Sequence, residues 1–329
     1  HYNKEKFFTD LMAGIIVGIV ALPLAIAFGI ASGVSPEQGL ITAIIAGFII
    51  SFLGGSQVQI GGPTGAFIVI VYGIIQQFGI AGLAIATVMA GIMLVLMGVF
   101  KLGTIIRFIP YPIVVGFTSG IALTIFTTQI KDLFGLTMDK VPADFISKWI
   151  AYFHHFDSIN WIALAVGVGS IVLIVFTPKF SRKIPGSLIA IIVMTLASYL
   201  LRHHLGITGL ETIGDRFEIN ASLPAPAGLA FNIATINQLL PAAFTIAILG
   251  AIESLLSATV ADGVTGQKHN SNTELIAQGA ANIIVPFFGG IPATGAIART
   301  MTNINNGGKT PVAGLIHAVV LLLILLFLG

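Results

Sequence analysis

No cysteine occurs among the 329 residues, and only 9% of them are charged. The first absence excludes a disulfide framework and any thiolate metal or redox centre. The second sets the chain apart from soluble domains, in which about one residue in four is charged. Basic clusters are missing too, apart from "TPKFSRK" at 177–183, and the net charge is only +2. Nucleic acid is therefore not expected as a partner. Inside the apolar runs there is no Ser–His, Asp–Asp or metal constellation, so an intramembrane enzyme is not expected either.

Hydrophobic residues fill the space that charge vacates. They make up 56% of the chain, and the mean hydropathy is +1.01. Runs such as "LMAGIIVGIVALPLAIAFGI" (11–30) and "TPVAGLIHAVVLLLILLFLG" (310–329) reach the ~20 apolar residues a helix needs to cross ~30 Å of hydrocarbon. About ten such runs point to an all-α integral membrane protein. "HYNKEKFFTD" leads into a run too long for a signal-peptide core, with no cleavage site after it, so the first helix is expected to stay in the protein.

Helices are expected near 11–31, 39–53, 65–79, 81–100, 108–129, 160–176, 185–201, 238–261, 274–288, 295–304 and 311–328. Lys4, Lys6, Lys101, Arg107, Lys179, Arg182, Lys183, Lys268 and Lys309 fall in alternate loops. By the positive-inside rule the N-terminus is then cytoplasmic. Loops 130–158 and 202–237 face outward and are expected to hold short amphipathic helices. Their pairs His154–His155 and His203–His204 have no partner at helical spacing and read as solvated surface residues, so no metal site is assigned.

Two stretches break the apolar pattern in almost the same order: "IGGPTGAF" at 60–67 and "GGIPATGAIART" at 289–300. Residues before Pro63 and Pro292 avoid helical backbone, and the glycines weaken any helix there. Helices are expected to restart at Thr64, with its hydroxyl as cap, and near Thr294. Gly65 and Ala66 in one first turn, and Gly295 and Ala296 in the other, let a ligand approach the backbone. Non-helical backbone at membrane depth survives only when buried in protein or lining a wet cavity. If the two halves are an inverted repeat, the helix starts meet near the midplane, and their combined potential approximates one cation awaiting an anion. Tight helix packing through small residues is the alternative reading of these glycines.

"TIAILGAIESLLSATVADG" (245–263) places Glu253 in mid-helix, with Ser257 on the same face. Arg299, one turn into the second half-helix, is close enough to pair with Glu253 or to add to the anion field. A buried ion pair holding two helices in register would be the structural alternative.

"IALPLAIAFGIASGVSPEQGLITAIIAGFIISFLGGSQVQIGGPTGAF", "ETIGDRF", "LGAIESLLSATVADG" and "GGIPATGAIARTMTNINNGGKTPVAG" together resemble the sulfate permease (SulP) anion transporters, a family that includes prestin. The resemblance implies an inverted-repeat fold of seven plus seven segments with a core and a gate domain, usually homodimeric and followed by a cytosolic STAS domain. About eleven segments are read here, and no STAS domain. The whole of 1–329 is then a transport domain, with core segments about 11–100 and 238–329, gate segments about 104–201 and an extracellular connection at 202–237. Leu24 and Phe28 stand where sulfate-carrying members commonly have Gln and Tyr. They look more like bacterial members, among them cyanobacterial bicarbonate transporters, which have Asp in place of Glu253.

By the resemblance Thr64, Gly65, Ala66, Gly295, Ala296 and Ile297 match positions lining the substrate site, to which Arg299 and Phe28 are added. Glu253 and Ser257 match the coupling-ion site. The expected function is secondary-active transport of a small anion of the bicarbonate, dicarboxylate or sulfate class. It is coupled to H+ or Na+ by elevator-like alternating access in the inner membrane, with no other cofactor. The alternatives are a nucleobase–cation symporter of the same fold, or an uncoupled channel or voltage-driven protein.

Overall fold

The computed structural model describes residues 2–106, 110–180, 186–207 and 209–328. Arg107, Arg182 and Lys183, used above to orient the chain, lie outside the described residues. Helices α1 (Lys4–Ala31) and α2 (Pro36–Leu53) form a hairpin. Asn3 caps α1, its side chain accepting Lys6 N–H at 2.9 Å. A capping box between Ser35 and Gln38, with Pro36 in the first turn, starts α2.

Next come strand β1 (Gly61–Gly62), a 3-10 turn (Gly65–Phe67), α3 (Ile68–Val99) and α4 (Gly103–Ile106). The two helices expected at 65–79 and 81–100 meet end to end in α3, and Gly79 breaks the helical geometry between them with φ 71° and ψ −177°. The first of these pieces, 68–78, is ~17 Å long at ~1.5 Å per residue, short of a membrane's hydrocarbon thickness.

α5 (Tyr111–Phe134), α6 (Phe145–His154), α7 (Trp161–Phe180), α8 (Gly186–His204) and α9 (Ile213–Arg216) follow. The last part is α10 (Ile233–Thr265), α11 (Ser271–Ile284), a 3-10 turn (Val285–Phe288), strand β2 (Thr294–Gly295), α12 (Ile297–Asn305) and α13 (Pro311–Leu328). Gly266, at φ 70°, ends α10 in the left-handed conformation. Six described helices are long and apolar enough to cross a membrane, namely α1, α2, α3 with its leading turn, α7, α8 and α10.

The chain forms two compact units, His1–Ile121 with Ile219–Gly329, and Ala122–Glu218. In the first, α3, α10 and α11 share a core that includes Leu83, Ala90, Leu94, Ala243, Ile246 and Leu275. Small residues allow this approach. A Cβ on Gly91 would lie 2.7 Å from Gly279 O, and one on Gly279 would lie 2.6 Å from Gly91 O. Asp10, fully buried on α1, accepts from the backbone N–H groups of Lys309 and Thr310 and so holds the start of α13.

The second unit has its own small core of Ile130, Leu136, Met138 and Tyr152. Among the described residues three ion pairs fasten its polar end, Arg202–Asp215 at 2.8 Å, Arg216–Glu211 at 2.7 Å and Arg216–Asp132 at 3.2 Å. α7 and α8 pack on each other while leaving Ile171, Val175, Ile192 and Leu196 exposed, as lipid-facing helices do. The loops flanking these helices hold α6 and α9. His155 Nδ1 lies 2.8 Å from Ala151 O, and His203 packs on the ring of Tyr199.

Candidate functional site

The two stretches singled out in the sequence run side by side. β1 and β2 pair antiparallel, Gly61 opposite Gly295 and Gly62 opposite Thr294, and Ala296 N–H donates to Ile60 O at 2.8 Å. Because the strands run in opposite directions, the helices that follow leave the crossing in opposite directions. At the first start, Gly65 and Ala66 N–H have no acceptor among the described residues. At the second the same holds for Ile297, Ala298 and Arg299, since the first helical bond of α12 runs from Thr300 N–H to Ala296 O. Five amide donors therefore cluster at two helix N-termini.

Two details differ from the sequence reading. Thr64 does not cap. The first turn is 3-10, so Phe67 N–H bonds to Thr64 O at 3.3 Å, and the Thr64 hydroxyl stays buried without a partner among the described residues. The second helix starts at Ile297 rather than near Thr294, because Thr294 and Gly295 are held in the strand pair. Thr294 Oγ1 donates instead to Gly250 O of α10 at 3.1 Å.

Each extended segment is gripped by the opposite half of the chain. α11 holds the first: Glu274 accepts from Gly55 N–H at 2.8 Å, Ser56 N–H at 3.0 Å and Gln59 Nε2 at 2.6 Å. α12 adds Thr300 Oγ1, which accepts Ile60 N–H at 3.0 Å, and Asn303 Nδ2, which donates to Val58 O at 2.9 Å. α2 holds the second segment: Gln38 Nε2 donates to Gly289 O at 2.9 Å, and Thr42 Oγ1 accepts Ile291 N–H at 2.8 Å. Asn282 of α11 exchanges two bonds with the backbone of Ala293, at 2.8 and 2.9 Å. Backbone that breaks out of helical bonding is thus satisfied almost entirely inside the protein.

Arg299 lies at the centre of this arrangement, 1% exposed. Its Nη2 donates to Pro63 O at 2.6 Å, while Nε and Nη1 have no partner among the described residues. A Cβ on Gly62 would come within 2.1 Å of Nη1, so only glycine leaves the guanidinium room there. The ion pair to Glu253 is not formed. Among the described residues no carboxylate lies within salt-bridge distance of Arg299. An uncompensated buried cation is costly, by several kcal/mol, and it favours an anion nearby.

Glu253 is 7% exposed and has no hydrogen-bond partner among the described residues. Ser257, one turn on and buried, leans toward Thr300 Oγ1 at 3.5 Å and not toward the carboxylate. Gly65 and Ile297 are half-buried, and Ala66, Gly295 and Ala296 are buried. Phe28 is half-buried on α1, a helix that packs on α2, α12 and α13. A groove of about 300 Å³ beside the first half-helix is lined by Ile70, Phe117, Phe244, Thr245, Ile248, Leu249 and Ile252. None of these is charged, and the Thr245 hydroxyl donates to Pro241 O at 2.8 Å.

Residues 7–329 match the sulfate permease family. The chain belongs to that family. It is 48% identical to YvdB of Bacillus subtilis (strain 168), provisionally named a sulfate transporter, over 99% of this chain and 61% of YvdB. It is 33% identical to the bicarbonate transporter BicA of Picosynechococcus sp., over 96% of this chain and 57% of BicA. The chain thus spans about three-fifths of the length of these relatives. The solved transmembrane domain of a cyanobacterial BicA superposes with a TM-score of 0.87 at 30% identity, covering 99% of this chain and 83% of that domain. The murine Slc26a9 anion transporter in its inward-facing state shares the fold, with a TM-score of 0.87 at 20% identity over 100% of this chain and 58% of that one. These relatives are transporters and not enzymes, and the apolar helices make this a multi-pass membrane chain.

Several residues that build the crossing escaped the sequence reading. Glu274, Gln278 and Asn282 form a polar stripe at four-residue spacing on α11, a signal present in "ELIAQGAAN". Gln59 and His317 gave none. His317 is fully buried on α13, its ring beside Gly47, where a Cβ would lie 2.9 Å from His317 Cε1 and 3.2 Å from Gly61 O.

Proposed function

We propose that the protein is a secondary-active transporter of a small oxyanion or carboxylate, bound between the starts of α3 and α12. The observation carrying this reading is the pair of helix N-termini beside a buried arginine that has no carboxylate partner among the described residues. Each terminus contributes roughly half a positive charge, so with Arg299 the crossing holds about two. Main-chain N–H groups of Gly65, Ala66, Ile297 and Ala298, with Arg299, are the donors. The names of YvdB and BicA make sulfate and bicarbonate the first substrates to test.

Glu253 is the coupling group in this reading. Ionised, it would cancel about one positive charge and repel the substrate. Neutralised by a proton or by Na+, it would not, so cation and anion binding are linked. A proton needs no ligand set, whereas Na+ would need several oxygens and Ser257 is drawn to Thr300; H+ is therefore favoured. Segments about 11–100 and 238–329, which include the crossing, act as the core and segments about 104–201 as the gate in alternating access. The protein acts as a homodimer in the inner membrane, and the distribution of Lys and Arg supports a cytoplasmic N-terminus.

The test is uptake by proteoliposomes of the intact protein, screened against bicarbonate, sulfate, chloride, fumarate, succinate and uracil, with H+ or Na+ gradients imposed. Gradient-dependent uptake of one of the anions is expected. Uptake of uracil alone, or anion currents indifferent to both gradients, would overturn the reading.

A further inference from the structure

We propose that Glu274 is a positioning residue for the anion site, setting the spacing of both helix starts without touching the substrate. The proposal deepens the reading above and rests on it. Glu274 is fully buried at the start of α11. Its Oε2 accepts from Gly55 and Ser56 N–H at 2.8 and 3.0 Å, and its Oε1 from the amide nitrogens of Gln59 and Gln278 at 2.6 and 2.8 Å. Four donors and no acceptor surround the carboxylate, so the ionised form is the one this network satisfies; a proton on either oxygen would face a donor.

The bonds act on both half-helices. Gly55 and Ser56 begin the extended segment that delivers Thr64 and Gly65 to the first start. The neighbouring Asn270 N–H also donates to Gly55 O at 3.0 Å, so α11 grips this turn from two sides. Gln59 carries the effect to the other half. With its amide nitrogen committed to Glu274, the amide lies flat against Gly295, where a Cβ would meet Gln59 Cδ and Nε2 at 2.5 Å. Gly295 is the strand partner of Gly61 and lies two residues before α12. One carboxylate therefore fixes the backbone that leads into the first start and the surface against which the second rests. Amide donors hold an anion well only over a few tenths of an ångström.

Glu274→Gln isolates this role, because its carbonyl can still accept Gly55 and Ser56 N–H. Its new amide group, however, faces the amide nitrogens of Gln59 and Gln278, which must turn over. Gln59 then presents a different group to Gly295. Measured on the intact protein in proteoliposomes, the variant should raise KM about tenfold for whichever of bicarbonate or sulfate the parent carries, with Vmax within about twofold. The melting temperature in detergent should hardly move. Adding Gln59→Glu to Glu274→Gln returns a carboxylate acceptor to the pair and should bring KM back to within about threefold of the parent.

An unchanged KM in Glu274→Gln overturns the proposal. So does a joint fall in Vmax and melting temperature that Gln59→Glu does not rescue, since that would describe a purely structural carboxylate. If the parent carries none of the anions, the site reading fails first and the positioning role with it. If the parent carries one and Glu274→Gln matches it, the positioning role alone fails.

Discussion

Glu253 and Glu274 are both buried carboxyl groups on helices next to the same crossing, yet their surroundings are opposite. Glu274 is ringed by four donors and is part of the scaffold. Glu253 has none among the described residues and lies on α10 between the half-buried Ile252 and Leu256. Burial alone does not separate a carboxylate that positions backbone from one left open to a cation; the count of donors does. A group whose charge is already satisfied gains nothing from a passing cation, whereas an unsatisfied one gains a great deal.

The sharpest way to break this comparison is to truncate both. Glu274→Ala leaves two backbone N–H groups and two amides unpaired in the interior and should cost about 3–5 kcal/mol, read as a large fall in melting temperature or loss of folded protein. Glu253→Ala strands no partner and should stay within about 1 kcal/mol of the parent. Equal losses would mean that the two carboxylates are both scaffold.

Arg299→Gln comes next in size. It removes the buried cation and leaves the helix starts, so anion affinity should fall about ten- to a hundredfold without vanishing, as charge-assisted bonds of ~1.5–3 kcal/mol imply. Isothermal titration with the transported anion measures it. Complete loss would make the arginine, and not the helix pair, the main holder of the anion. Glu253→Gln should leave stability within about 1 kcal/mol and keep binding, while uptake loses its dependence on the H+ or Na+ gradient. Coupling that survives this change removes Glu253 from the mechanism.

The smallest effect belongs to a third carboxylate, exposed Asp215 in the other unit. The hydrogen bonds from Arg202 and then from Thr212 hold its pKa well below the usual carboxylate range. With the folded pKa lowered, its stabilising contribution is fully present above the unfolded value near 4 and is lost as pH falls on through the lower folded value. Asp215→Asn should therefore lower the melting temperature slightly at pH 7 and not at all in strong acid. A pH-independent difference would show that shape, not charge, matters there.

Much of the architecture was legible because bilayer thickness imposes it. Apolar runs long enough to span gave the helices, and Pro63 and Pro292 with their glycines gave the two interruptions. What escaped depends on contacts between residues far apart in sequence. The pairing of Gly61 with Gly295 has no local signature, since two residues of strand carry no alternating pattern. It is this pairing that delays the second helix to Ile297 and, with the 3-10 turn, denies Thr64 its cap. Arg299 was recognisable as an intramembrane charge, but its partner was not, because that partner is the carbonyl of Pro63 and not a side chain. The polar stripe of Glu274, Gln278 and Asn282 was visible, while the backbone it holds could be found only in three dimensions.

The central claim is that main-chain donors at two converging helix starts, with Arg299, hold the anion. Diffraction from crystals of the intact protein grown with selenate or bromide, recorded at the absorption edge of the anomalous scatterer, tests it most directly. A peak within hydrogen-bond distance of the N–H groups of Gly65 or Ala66 and of Ile297 or Ala298 is the expected result. A peak confined to the apolar groove beside Phe117 and Phe244, or none at the crossing under conditions in which the protein binds the same ion in solution, would contradict it.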